Sequence, residues 1–335
     1  MDATDWSQFA YTQYATTEDH LCNSVMIFES LARLDSKADR LLMYREAWST
    51  EIDTTTGRLL LQAREKYGVK LQPVTVQTVP QDSTLEEQDL TWADGLTKLL
   101  AFNQTQYKRV LSLDSDGTIL QHMDELFLLP PAPLAAPRAY WLSKQTMPTL
   151  SAQLLLIQPS TLEFSRILSA IQTGLPSDYD MEVINHLYNS SAIVLPHRTY
   201  DLLTGEFKTS EHNSPTTSSS TSSAAADGNG PVVLDHTAYL GSSSEIWDAD
   251  LVINEAKYVH FSDWPVPKPW IVADPKLVEK TMPRCTLLQT RKSVFEGVGD
   301  EIVEDCRDRE IWVGLYADFQ RRRKDICGLG LAGGL

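Results

Sequence analysis

The chain is poor in cations, in cysteine and in long apolar runs, and each shortage narrows what it can be. It has 29 Lys and Arg against 45 Asp and Glu over 335 residues, a formal net charge of −16. General nucleic-acid binding needs a basic surface to displace counterions, so that class is excluded. An anionic small molecule is not, because a few local cations or one metal ion suffice to hold it. No apolar run reaches the roughly 18 residues of a membrane-spanning helix. The N-terminus, MDATDWSQFAYTQYATTEDHL, shows no basic region followed by an apolar one, so no signal peptide is visible. The 4 cysteines, at 22, 285, 306 and 327, fall in no CxxC or Cys/His metal spacing. A chain this long with so few cysteines is not expected to rest on a disulfide framework. A single bridge among Cys285, Cys306 and Cys327 stays open. Two triplets, Asn103-Gln-Thr and Asn189-Ser-Ser, fit the N-glycosylation pattern, which matters only in the secretory pathway.

What is present is an alternation of strands and helices. Phe9–Ala15 alternates apolar and polar residues as a strand does. Thr16 and Thr17, ahead of Glu18 and Asp19, make a helix start, and Leu21–Leu34 continues at helical spacing. Arg40–Tyr44 and Arg109–Leu113 are short, nearly all-apolar strands of the kind buried on both faces. Helices are expected at Leu59–Tyr67, Leu90–Thr105 and Arg309–Lys324, with strands at Val69–Val74 and, as the last one, Lys257–His260. This order predicts one α/β domain over residues 1–335 with a Rossmann-like, mostly parallel, doubly wound sheet. Residues 209–231, rich in Ser, Thr, Gly and Ala, read as a mobile inserted loop, and 271–335 as a helical extension.

Ligands of such sheets bind beyond the carboxyl ends of the strands. Two turns stand there, Tyr14-Ala15-Thr16-Thr17 and Asp114-Ser115-Asp116. The second follows a buried strand and offers two hard carboxylates, suited to Mn²⁺ or Mg²⁺ rather than zinc. Asp, Ser and Gly also favour turns, but a polar turn alone does not call for the buried run RVLSL before it. Asp248-Ala-Asp250 lacks such a strand and reads as a polar turn. His260 ends KYVH and opens HFSDWPVPKPW, where three prolines stiffen the chain and Lys268 becomes a fixed cation. Lys98 lies in the expected helix before the Asp114 strand, and Asp180 at the start of another.

These residues, in this order, resemble a family 8 glycosyltransferase of the glycogenin-like group, and within it the fungal N-acetylglucosaminyltransferase-like members. The resemblance runs from about Phe9 to Trp270. It rests on Thr97-Lys-Leu99, Thr105-Gln-Tyr107, Asp114-Ser-Asp116, Met123-Asp-Glu-Leu-Phe127 and the His260–Trp270 loop, with AAPRAYW, LLLIQPS, DYDMEVIN and AKYVHF in family order. It implies a GT-A fold with a small antiparallel part, a UDP-sugar donor (UDP-GlcNAc or UDP-glucose), Mn²⁺ or Mg²⁺, and transfer to a hydroxyl acceptor with retention. Asp114, Asp116 and His260 match the metal ligands, with Ser115 on the ribose side. Lys268 matches the diphosphate lysine, Lys98 the lysine on donor sugar and phosphate, and Asp180 the carboxylate beside the reacting sugar. Tyr14, Ala15, Thr16 and Thr17 fall where uridine is held. His20 falls where a tyrosine often stacks on uracil.

Some positions depart from the family. Met181 stands where Gln usually follows the reacting-site Asp, and it cannot attack an anomeric carbon, which favours a front-face mechanism. Ser151-Ala152-Gln153 replaces Asn-Ser-Gly, a departure that bears on the donor sugar's specificity, and the His-to-Lys loop is about two residues longer than in glycogenin. The Ser/Thr insert replaces the segment of glycogenin's self-modified tyrosine. A sugar nucleotidyltransferase would show a Gly-rich basic loop after the first strand, where Ala15-Thr-Thr-Glu18 has neither property. A silent UDP-sugar-binding protein is the other alternative. Relatives of this type imply the Golgi lumen if an N-terminal anchor has been removed, and the cytoplasm otherwise.

Overall fold

The computed structural model describes residues 4–78, 94–142, 148–175, 177–208, 236–293 and 298–333. The 209–231 insert therefore lies outside the described residues. Strands β1 (Phe9–Ala15), β2 (Asp39–Arg45), β3 (Val69–Val74), β4 (Arg109–Leu113), β5 (Gly117–Ile119), β6 (Leu134–Pro137), β7 (Leu154–Ile157) and β8 (Ile193–Leu195) precede the insert, with β9 (Leu202–Leu203). β10 (Tyr258–His260) follows it. The main sheet has the order β3-β2-β1-β4-β7-β6-β8. Its β3-β2-β1-β4 half is parallel, and β7 runs antiparallel to both β4 and β6.

Apolar residues of adjacent positions go to opposite faces, as the strand period of two requires. Val110, Leu155 and Ile157 join one core, whereas Leu111, Leu113, Leu154 and Leu156 join the other. That two-sided burial is why β4 and β7 read as continuous apolar runs. The core of Leu111 and Leu154 packs under helices α1 (Glu18–Arg33) and α2 (Thr55–Tyr67), that of Val110 and Leu155 under α3 (Thr161–Thr173) and α4 (Asp180–Tyr188). Thr17 caps α1 by accepting from the His20 amide at 3.2 Å, with Glu18 and Asp19 in the first turn. α2 ends at Gly68 in the left-handed conformation, φ 65°.

Four expectations are corrected. The helix expected over Leu90–Thr105 is a tighter 3₁₀ segment over Asp94–Asn103, with 90–93 outside the described residues. β10 is not the last strand, and the 271–335 stretch is not wholly helical. An antiparallel hairpin, β11 (Thr286–Ser293) and β12 (Val298–Asp305), lies there before the C-terminal helix Arg307–Arg322. Two disulfides form, Cys22–Cys327 and Cys285–Cys306. The first joins residues 305 apart and fixes the chain end onto α1, a pairing that local spacing cannot reveal. Among the described residues, no helix is long and apolar enough to cross a membrane.

Candidate active site

β4 delivers Leu113 to the carboxyl edge of the sheet, and Asp114 and Asp116 follow at once. A second sheet, ordered β5-β10-β9, begins directly after this turn, at Gly117. In it His260 lies opposite Gly117 on one side and beside Leu203 on the other. Sheet register therefore brings His260 to the Asp114–Asp116 turn. Gly117 is required for a steric reason, since a Cβ there would meet the Tyr258 ring at 2.5 Å. With that side open, the Tyr258 hydroxyl donates to the Asp114 carbonyl at 2.9 Å. The Gln13 amide group donates to Leu113 O at 2.7 Å, and Phe261 N to Asp116 O at 2.9 Å. The turn is thus held through its backbone, leaving its carboxylates to other partners.

Those partners are two lysines and His260. Lys98, whose side chain is 2 % exposed, sits 2.5 Å from both Asp114 Oδ1 and Asp180 Oδ2. It also donates to Ala152 O at 2.9 Å. Lys268 lies 2.6 Å from Asp116 Oδ2, and His260 Nε2 lies 3.0 Å from Asp116 Oδ1. Three carboxylates against two ammonium groups leave the cluster net negative. Burial opposes charge on Asp114, Asp116, Lys98 and His260, and the partners decide the outcome. Burial lifts the Asp114 carboxyl to about 7 despite Lys98. Burial also acts to raise Asp116, but His260 and Lys268 outweigh it and hold that carboxyl well below the usual range. Burial pulls Lys98 down, and Asp114 and Asp180 more than restore it. His260 is lowered, chiefly by burial, so its ring favours the neutral form that binds metals.

Ligand atoms of Asp114, Asp116 and His260 lie within 4.8 Å of one another. Two carboxylate oxygens and a neutral imidazole, together with two lysines already drawn to the same carboxylates, fit a hard divalent cation such as Mn²⁺ or Mg²⁺. The Cys285, Glu304 and Cys306 group is not comparable, because both its sulfurs are in a disulfide.

The remaining sequence candidates surround this cluster. Tyr14, the next-to-last residue of β1, is half-buried, its phenol raised mainly by burial and sensing Lys98, Asp114 and Asp180. Ala15 and Thr16 are buried. Thr17 is exposed, its hydroxyl committed to the α1 cap. His20 meets Trp270 edge-on at 6.1 Å and feels the charges of Asp116 and Lys268. Ser115 is buried. Ser151 is fully buried, its hydroxyl accepting from Gln153 N at 3.2 Å. Gln153 O accepts from Asp114 N at 2.9 Å, while its side-chain Oε1 is buried without a partner among the described residues. Asp180 is the first residue of α4, and Met181 behind it is half-buried. Asp248 caps the helix Ala249–Glu255 and Asp250 pairs with Arg307, so that triplet is structural.

Sequence reasoning missed Asp201. It is fully buried just before β9, and neither carboxylate oxygen has a hydrogen-bond partner among the described residues. Burial pushes its carboxyl up to about 8, with Asp114 adding to the rise and Ser151 and Lys98 opposing it. Its one signal in the sequence is a carboxylate beside the apolar pair Leu202-Leu203.

No family model matches the chain. A Gibberella zeae protein named glucose N-acetyltransferase 1 is 50 % identical over 329 residues, covering 96 % of this chain, which spans 63 % of that protein's length. An Aspergillus fumigatus protein of the same name is 42 % identical, with 96 % of this chain and 78 % of that protein covered. Among solved structures, the galactosyltransferase LgtC, crystallised with donor and acceptor sugar analogues, superposes with a TM-score of 0.52 at 13 % identity, covering 78 % of this chain and 89 % of that one. That likeness identifies the fold as the GT-A glycosyltransferase fold, with its mostly parallel mixed sheet. The chain belongs to the family of fungal transferases named glucose N-acetyltransferase 1.

Proposed function

We propose that the protein is a family 8 type, retaining glycosyltransferase that moves a sugar from a UDP-sugar to a hydroxyl acceptor with the help of Mn²⁺ or Mg²⁺. The observation that carries this reading is the convergence of Asp114, Asp116, His260, Lys98, Lys268 and Asp180 at one strand edge. Of the two donors considered, UDP-N-acetylglucosamine is favoured over UDP-glucose, because the relatives' name pairs glucose with an N-acetyl group.

Asp114, Asp116 and His260 would hold the cation. When bound it would neutralise charge on the diphosphate. Lys98 and Lys268 supply fixed positive charge where the leaving diphosphate becomes more anionic, an effect strongest in a preorganised, partly dry site. Asp180 orients the sugar and stabilises positive character at its anomeric carbon, the demand that carboxylates also meet in glycosidases. Met181 offers no nucleophile. The acceptor hydroxyl therefore attacks on the face that the diphosphate leaves. The acceptor oxygen bonds to the anomeric carbon as the carbon–phosphate oxygen bond breaks, and the departing phosphate oxygen takes the hydroxyl proton.

The two disulfides favour the oxidising lumen of the secretory route, such as the Golgi, over the cytoplasm as the place of action.

Calorimetric titration with UDP, in Mn²⁺ and in EDTA, tests the site. Metal-dependent binding that disappears in Asp114→Asn is expected, and metal-independent binding unchanged by that substitution contradicts the assignment. Proton NMR of the transferred sugar then tests stereochemistry, with a product of the donor's own anomeric configuration expected.

A further inference from the structure

The ten residues after His260 form no helix or strand, yet they must deliver Lys268 to the same place as His260. One buried carboxylate in this loop, Asp263, is 5 % exposed and belongs to no group described above. Its Oδ2 accepts from the Thr204 hydroxyl and from the Tyr316 hydroxyl, the latter at 2.9 Å. Lys208 Nζ donates to the Asp263 carbonyl at 3.3 Å and stands 3.7 Å from Oδ1. Thr204 accepts in turn from Ser262 N at 3.1 Å. Thr204 directly follows Leu203, the strand neighbour of His260, and Tyr316 comes from the C-terminal helix. The loop is thereby fastened from two elements remote in sequence.

The fastening point is next to the link that aims the lysine. Tyr316 packs edge-on against Phe261 at 5.2 Å, and the Phe261 carbonyl accepts from Lys268 Nζ at 2.6 Å. Val266 N closes back on the Asp263 carbonyl at 2.8 Å, and Ile271 N on the Lys268 carbonyl at 2.9 Å. A buried charge is weak evidence for stability, since a well-packed apolar replacement is often no worse. Its retention here needs a geometric reason, and the lysine supplies one.

We propose that Asp263 is a positioning residue: by latching the loop to Thr204 and Tyr316 it holds the Phe261 carbonyl, and through it Lys268, where the ammonium faces Asp116 and the donor diphosphate. This rests on the UDP-sugar reading above. Asp263 touches neither substrate nor metal ligand in this role and acts only through Lys268.

The test is calorimetric UDP affinity in Mn²⁺, with melting temperature measured beside it. Asp263→Ala is expected to weaken UDP roughly tenfold, about the loss of one charge-assisted hydrogen bond's worth of positioning. Asp263→Asn, whose carboxamide oxygen still accepts from both hydroxyls, is expected within about threefold of the parent. Combining Asp263→Ala with Lys268→Ala is expected to bind no more weakly than Lys268→Ala alone. A merely structural role would lower the melting temperature and leave affinity per folded molecule unchanged, which overturns the proposal. Additive losses in the double variant also overturn it. Should Asp263→Ala fail to fold, Tyr316→Phe is the substitute. Weaker UDP binding that vanishes in the Lys268→Ala background supports the proposal, and parent-like binding overturns it. A parent protein that binds no UDP defeats the donor reading itself, whereas parent binding with unaffected variants defeats only Asp263.

Discussion

Replacing Asp201 by asparagine removes one ionisable proton and almost no volume. In the folded protein burial holds this carboxyl near 8, against an ordinary value of 3.8. Between those values the folded chain keeps a proton that the unfolded chain has lost. Stability must then fall as pH rises, because the state binding fewer protons gains. The sign is that of a raised group: the contribution is full below about pH 4 and is lost as pH climbs through about 8. Each unit is about 1.4 kcal/mol, so the roughly three units between pH 5 and pH 8 amount to about 4 kcal/mol. Asp201→Asn has no such proton to lose. Urea unfolding of both proteins, with disulfides intact, at pH 5, 7 and 9 measures the difference directly. The variant is expected to gain on the parent by that amount over the interval. Parallel stability profiles would refute the claim that Asp201 is buried as an unsatisfied acid.

Other perturbations probe the same edge of the sheet. Lys98→Met leaves Asp114 and Asp180 facing each other without their shared ammonium. It should destabilise the protein by about 3–5 kcal/mol at neutral pH in urea unfolding, the usual cost of breaking a buried ion pair, and an unchanged midpoint would contradict the arrangement. Cys327→Ser opens the Cys22–Cys327 bridge, whose long loop gives it up to about 5 kcal/mol of unfolded-state constraint. A clear drop in melting temperature is expected, and thiol titration of the denatured, unreduced parent should find no free cysteine.

Much of the architecture was legible because it is local. The apolar strands at Arg40–Tyr44 and Arg109–Leu113, and the Thr17 cap with its following acids, carry their structure in a few adjacent residues. The Asp114–Asp116 turn could be placed from the buried strand before it, and His260 from the strand it ends. What the sequence hid depends on partners far along the chain. Lys98 enters the site through the family resemblance alone, and its burial depends on Asp114 and Asp180 arriving to neutralise it. The 3₁₀ geometry around it suits that burial rather than any propensity of DGLTKLLAFN. Asp201 and Asp263 are carboxylates whose meaning lies 50 or more residues away, in the burial and the charges of Asp114 and Lys98 in one case and in the hydroxyls of Thr204 and Tyr316 in the other. The C-terminal hairpin was missed because VGDEIVED and TLLQTRKS alternate too weakly between apolar and polar positions to announce paired strands.

The central claim is tested most directly by UDP release from UDP-N-acetylglucosamine, UDP-glucose, UDP-galactose and UDP-xylose, each with Mn²⁺ or EDTA and with or without a mixture of sugar acceptors. The account predicts release that needs the metal, rises with acceptor and prefers UDP-N-acetylglucosamine. Absence of release from every donor, with no calorimetric binding of UDP, would contradict it.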